Sequence, residues 1–152
     1  MAVDYAVIAA GINRAVPFNA HVGLETVRIA PEEGVVVLPD AAELHNHVGS
    51  QHAGALFTAG EAASGAAFVG AFAEQMGEIT PLAESAQIAY RKLARGPITA
   101  TARFSQDRGA LLSELAAEGR ARFSIEVELT DSQGTVVAEM TVHWYVRRNP
   151  AS

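Results

Sequence analysis

The chain has 152 residues, 17 acids against 11 Lys and Arg for a net charge of −6, and no cysteine. Disulfides, thiolate metal sites and a cysteine nucleophile are therefore excluded. The acidic balance argues against nucleic-acid binding and leaves small molecules or further copies of the chain as partners. The length corresponds to a single domain, residues 1–152, that buries about 70% of the surface its unfolded form exposes.

The opening MAVDYAVIAAGINRAV carries Asp4 where a secretory signal would be basic, and Val3, Val7, Ile8 and Ile12 share one helical face. Residues 1–16 are thus expected to form a packing helix of a cytoplasmic protein. Val22 to Ala30 (VGLETVRIA) reads as a strand, Pro31-Glu32-Glu33-Gly34 as its turn, and Val35 to Leu38 as a returning strand that runs on toward His45. A Gly-rich loop, Asn46 to Gln51, precedes a long Ala- and Gly-rich helix over residues 53–76, closed by Gly77. That helix is long enough for a membrane span, but its small residues gain little in lipid and Glu61 would lie near mid-bilayer. It is expected instead to be a buried helix around which a sheet wraps closely.

Glu84 to Ala94 and Ile98 to Phe104 read as strands around the turn Arg95-Gly96-Pro97. Asp107 is placed to cap a short helix over Leu111, Leu112 and Leu115 that ends at Gly119. Arg122 to Thr130 and Thr135 to Arg148 flank Asp131-Ser132-Gln133-Gly134, a hairpin signal. Runs of strands without regular strand–helix alternation give an α+β class, an antiparallel sheet packed on the central helix.

One acid stands out. Phe57, Glu61, Ser64, Gly65, Phe68 and Phe72 fall on one helical stripe at spacings of three and four. A carboxylate among apolar neighbours has a raised pKa and is a candidate general base or nucleophile. The competing reading is a Glu61 that pairs with an Arg or caps a buried network. Just upstream, a helix starting at Ala53 would offer amides without intrahelical acceptors, fit to hold a developing oxyanion, unless they are merely hydrated. His45, His47 and His52 supply three imidazoles. However, no acid lies three or four residues from the first pair, and Glu61 stands about 13 Å along the helix from His52, so no metal site is expected. His21 and His143 show no motif and are expected to be structural.

Asn46, Gly49, His52, Gly54 and Glu61 stand as N-x-x-G-x-x-H-x-G with an acid nine residues after the His. This pattern resembles the hotdog-fold acyl-CoA thioesterases, in particular the phenylacetyl-CoA thioesterase-like branch, or a closely related hotdog branch that also reads QHAGALF. VGLETVRIAPEEGVVVLP resembles that family's first hairpin, AYRKLARGPITATARF its mid-sheet strands and DSQGTVVAEMTVHWYVRR its closing hairpin, so the likeness covers nearly everything after Pro17. It implies a hotdog fold, an antiparallel sheet wrapped around the central helix.

It also implies roles. Glu61 would act as base or nucleophile toward the thioester carbon, the Ala53 amide as oxyanion donor, and Asn46 and His52 as positioning groups. The substrate would be an acyl-CoA, with no cofactor beyond the coenzyme A it carries. Gly54, Phe57, Ser64 and Phe68 are candidates for the substrate pocket, and Arg91, Lys92 and Arg95 for the CoA phosphates, unless these cations are an ordinary solvated strand edge. Two departures are visible: Ala53 stands where the family has Gly, and only Ser64 is available, before Gly65, where the family's helix offers Ser or Thr. Ala53 and Glu61 are too far apart on one helix to serve the same carbonyl, so the resemblance implies a homodimer, or a dimer of dimers, with each site shared between two chains. The nearest rivals are a hotdog hydratase, whose His-Phe-Pro signature is absent, and a non-catalytic protein of the same fold that binds an acyl-CoA or acyl-carrier thioester.

Overall fold

A computed structural model describes residues 2–151. Met1 of the expected N-terminal helix and Ser152 at the end of the expected domain lie outside them. Helix α1 (Tyr5–Ala15) begins where the Asp4 carboxylate accepts the Val7 amide at 3.1 Å. Pro17 cannot extend that helix but suits the first position of a new one, because the amide it lacks would have had no acceptor there. A short second helix, α2 (Pro17–Val22), results, closed by Gly23 at φ +83°. The strand expected from Val22 therefore starts later, as β1 (Glu25–Ala30), and β2 (Glu33–Leu38) returns after a two-residue turn. β2 does not run on to His45: Pro39 follows it, and a 3-10 turn occupies Ala42–Leu44.

The central helix α3 (Ala53–Ala71) ends five residues before the expected Met76. Phe72 leaves helical geometry at φ −118° and ψ 26°, its amide still bonded to Phe68 O, and a 3-10 turn over Ala73–Gln75 follows. Arg108 donates to the Ala71 carbonyl at 3.2 Å, satisfying one terminal acceptor. Next come β3 (Ile79–Tyr90), β4 (Ile98–Arg103), α4 (Arg108–Glu118), β5 (Arg120–Thr130) and β6 (Val136–Arg148). Asp107 caps α4 through Ala110 N at 3.0 Å, and Gly119 closes it, as the sequence predicts.

The six strands form one antiparallel sheet in the order β1-β2-β4-β5-β6-β3. The strands expected around Arg95-Gly96-Pro97 are consequently not neighbours. β4 pairs with β2 and β5 inside the sheet, whereas β3 pairs with β6 alone and forms the far edge. β3 also begins at Ile79, five residues before the expected Glu84.

Small residues let the sheet close on α3. A Cβ on Gly34 of β2 would overlap the Ala67 amide, and one on Gly70 of α3 would overlap the Ala30 carbonyl, so strand and helix backbones touch. Ala59, Ala63, Ala66 and Ala67 are fully buried along this contact. Toward the C-terminal end of α3 the packing becomes aromatic: Phe68 meets Phe123 (5.6 Å) and Trp144 (5.7 Å), Phe72 meets Phe104 (5.5 Å) and Phe123 (5.8 Å), and Phe104 meets Phe123 (5.4 Å), between ring centroids. Among the described residues no helix is long and apolar enough to cross a membrane.

Candidate active site

The site grows from the loop before α3. Asn46 braces that loop from within: its side-chain oxygen accepts the Val48 and Ser50 amides at 3.0 and 3.1 Å, and its amide nitrogen donates to Ser50 Oγ at 2.8 Å. Gly49 turns the loop at φ +75°, a conformation that side chains disfavour. Gln51, which the sequence reading passed over, is buried and clamps the loop to its surroundings, donating to Pro39 O at 2.9 Å and Gly96 O at 3.0 Å. Its main-chain amide bonds Ala94 O at 2.8 Å. No pattern in the sequence marks a lone glutamine for such a role.

His52 is the cap of α3. Its Nδ1 accepts the Gly54 amide at 2.8 Å, which leaves the proton of a neutral ring on Nε2. The Ala53 amide has no acceptor within the described residues, and Ala53 is exposed, so this donor is available at the positive end of the helix dipole. Tyr90, at the end of β3, donates to the Ala53 carbonyl at 3.1 Å and so ties the edge strand to the helix start. Burial pushes the Tyr90 phenol up from its ordinary value. Thr58, one turn into α3, donates to Gly54 O at 2.8 Å.

Glu61 lies farther along the same side of α3. Its carboxylate has no hydrogen bond or ion pair among the described residues; the bridges present engage Glu33, Asp40, Glu139 and Glu84. Burial without a partner pushes Glu61 up from the ordinary carboxylate value. Neither the Arg partner nor the buried network of the competing reading meets the Glu61 carboxylate among the described residues. Ala53 and Glu61 are about 12 Å apart along the axis, eight residues at 1.5 Å each.

The remaining candidates divide. Phe57 is 37% exposed on the open stripe, and Gly54 is exposed beside it. Phe68 is corrected from substrate pocket to core: it is 1% exposed, stacked on Phe123 and tilted against Phe72 and Trp144, with no surface left for a ligand. Ser64 is also fully buried, and its hydroxyl donates to the Glu61 main-chain carbonyl at 2.7 Å, so it points into the helix and not toward a bound water. Arg91, Lys92 and Arg95 fall after β3 and not within it. Their segment lies against the start of α3 through Tyr90, Ala94 and Gly96, and Arg91 is already bridged to Glu139 at 3.1 Å.

Two further imidazoles are engaged. His45 Nε2 is 2.6 Å from Asp40 Oδ1, and His143 Nδ1 is 2.7 Å from Ser124 Oγ. Among the described residues no group of three or more His, Asp or Glu is placed to hold a metal ion.

Residues 5–146 match the family model described as a domain of unknown function, DUF4442. The chain belongs to the DUF4442 family. None of the curated proteins matches this DUF4442 chain. Among solved structures it is similar to a Pseudomonas aeruginosa protein of unknown function described as a probable thioesterase, with a TM-score of 0.86, 31% identity, and 98% of this chain and 99% of that one covered. A Chlorobaculum tepidum protein of unknown function aligns at a TM-score of 0.80 and 15% identity, covering 95% and 94% of the two chains. A hypothetical thioesterase protein from Streptococcus pneumoniae aligns at 0.64 and 20% identity, covering 84% and 92%. The six-stranded antiparallel sheet around a long central helix is the hotdog fold, and the DUF4442 chain has it throughout.

Proposed function

We propose that the DUF4442 chain is an acyl-CoA thioesterase, hydrolysing the thioester to a free acid and coenzyme A. The observation that carries this reading is the pairing, on one open stripe of α3, of a main-chain donor without an acceptor at Ala53 and a carboxylate without a partner at Glu61. The first suits an oxyanion, and the second suits a general base for water or a nucleophile on the carbonyl carbon. The likeness to the probable thioesterase of Pseudomonas aeruginosa supports the same reaction class.

Each site combines two copies of the chain, because an oxyanion held about 12 Å from the base on a straight helix cannot be attacked from it. Two antiparallel α3 helices across a two-fold axis place the Ala53 amide of one protomer near Glu61 of the other. β3, a 12-residue edge strand hydrogen-bonded on one side only, gives a second copy something to pair with, and the exposed Leu82 and Tyr90 would be covered there. Arg95 and Lys92, in the segment tied to the start of α3 through Tyr90, Ala94 and Gly96, would meet the CoA phosphates.

Complementation between two dead variants tests this. Glu61→Gln removes the base and keeps its shape, lowering turnover of an acyl-CoA panel by about 10²–10⁴-fold, read as thiol release. Ala53→Pro removes the oxyanion amide at a position Pro tolerates, since His52 before it is extended at ψ 141°. Co-refolding equal amounts should return about a quarter of wild-type activity, because half the dimers are mixed and one of their two sites is intact. A mixture that exchanges subunits and stays dead refutes the shared site. Wild-type protein that binds acyl-CoA and releases no thiol refutes hydrolysis and leaves a binding protein.

A further inference from the structure

A groove of about 430 Å³ opens beside the start of α3, walled by Phe18 and Val22 of α2, by Leu44, and by Ala55 and Thr58 of α3. Nothing in the proposed chemistry uses it, yet its volume lies in the range of about 300–1,000 Å³ that small-molecule sites occupy. Its lining is mostly carbon, and Phe18 stands 60% exposed on its rim, with only the tilted His21 ring beside it at 6.5 Å. His52 and Gly54, the neighbours of the free Ala53 amide, form one end, so the groove begins where a thioester carbonyl would be held.

We infer that this groove receives the acyl chain of the substrate, an inference that rests on the thioesterase reading above. Charge separates the two arms of an acyl-CoA here. The nucleotide arm carries phosphates, and the groove's charged lining residue is the acid Glu43, with Asp40 held nearby on His45; an anion is repelled. The cations Lys92 and Arg95 lie on the other flank, in the segment that Tyr90 and Gln51 tie to the helix start from the β3 side. α2 leads directly into β1, at the opposite edge of the sheet from β3. With the carbonyl at Ala53, the pantetheine arm therefore leaves toward β3 and the aliphatic chain toward α2. His52 and Gly54 mark the polar mouth, and beyond them Phe18, Val22, Leu44 and Ala55 offer methyls, methylenes and a ring. The substrate class is an aliphatic acyl group long enough to reach Phe18.

The test uses binding, so that it does not depend on turnover. S-alkyl coenzyme A thioethers from ethyl to dodecyl, which cannot be hydrolysed, are titrated by calorimetry into the wild-type protein and into Phe18→Asp. Phe18 is exposed, so the charge enters the groove without disturbing the core. Wild-type Kd should fall about fourfold per added methylene until the groove is full. In Phe18→Asp that dependence should shrink to less than about twofold, while the Kd for free coenzyme A stays unchanged. An equal chain-length dependence in both proteins overturns the assignment, as does an equal loss of affinity for free coenzyme A, or no thioether binding at all. If the dependence behaves as expected while the wild type releases no thiol from acyl-CoA, the groove stands and hydrolysis falls; hydrolysis with an unaltered dependence is the reverse.

Discussion

The two halves of α3 are built from the same small residues and meet opposite surroundings. From Ser64 onward the side chains of the stripe are sealed, with Gly65 half-buried between them: Ser64, Phe68 and Phe72 are 0%, 1% and 0% exposed under an aromatic cluster rising from β5, β6 and the segment after β4. Before it, on the same side, Phe57 is 37% exposed, and among the described residues Glu61 has no partner and the Ala53 amide no acceptor. Helical period decides which residues share a face, whereas cover is decided by what the rest of the chain brings to that face. One helix thereby supplies both an anchor and an open surface.

The largest effect is expected where the anchor is cut. Phe68→Ala should cost about 3–5 kcal/mol in urea unfolding, whereas Phe57→Ala, on the open half, should stay below about 1 kcal/mol. Equal costs would erase the distinction between the halves. Next is the response of Glu61 to pH. Its folded pKa is raised above 4.5 by burial, so the stability it contributes is complete below the unfolded value and lost as pH rises through the folded one. Glu61→Gln should therefore melt at a higher temperature than wild type at neutral pH and at the same temperature near pH 4. In activity, the acid limb of kcat/KM should lie above the ordinary carboxylate range. A wild type that is the more stable at neutral pH would mean that the carboxylate has found a partner.

A smaller change is expected from Arg91→Ala combined with Arg95→Ala. KM for an acyl-CoA should rise about twofold to fivefold, the scale of exposed charge contacts, with no change for a short thioester lacking the nucleotide. Parallel rises would assign both residues to structure, as the existing Arg91–Glu139 bridge already does in part for Arg91. The smallest effect is at Ser64, on the boundary. Its hydroxyl serves the Glu61 main-chain carbonyl, so Ser64→Ala should leave kcat within about twofold and shift stability by about 1 kcal/mol. A loss of turnover comparable to that of Glu61→Gln would place the hydroxyl on the reacting water.

What could be read in the sequence was what is local. Asp107 and Gly119 bracket α4, Asp131 to Gly134 turn β5 into β6, and the start of α3 follows from the Gly-rich loop, because caps and turns act within a few residues. Glu61 was also conspicuous, an acid in a run of Ala and Gly. Non-local outcomes were hidden. β3 pairs with the distant β6 and not with the strand after the Arg95-Gly96-Pro97 turn, and α2 was concealed because Val22, where it ends, also opens an apolar run that reads as a strand. Phe68 and Phe57 share periodicity and residue type, so only the aromatic partners from β5 and β6 distinguish core from surface. Gln51 is a clamp because Pro39 and Gly96 converge on it from distant segments, which no spacing announces.

Gly34 and Gly70 leave no clearance between strand and helix. Backbones in direct contact admit neither sliding nor rolling, so the angle at which Glu61 leaves α3 is set when the chain folds and not when a ligand arrives. A methyl group added at Gly70, more than 13 Å from Glu61 at 1.5 Å per residue, would wedge α3 away from the sheet and re-aim the carboxylate without touching it. The spacing of two glycines is in that sense a tolerance held on the chemistry from a distance, and a screen for inactive variants should return these positions beside the ones that meet substrate.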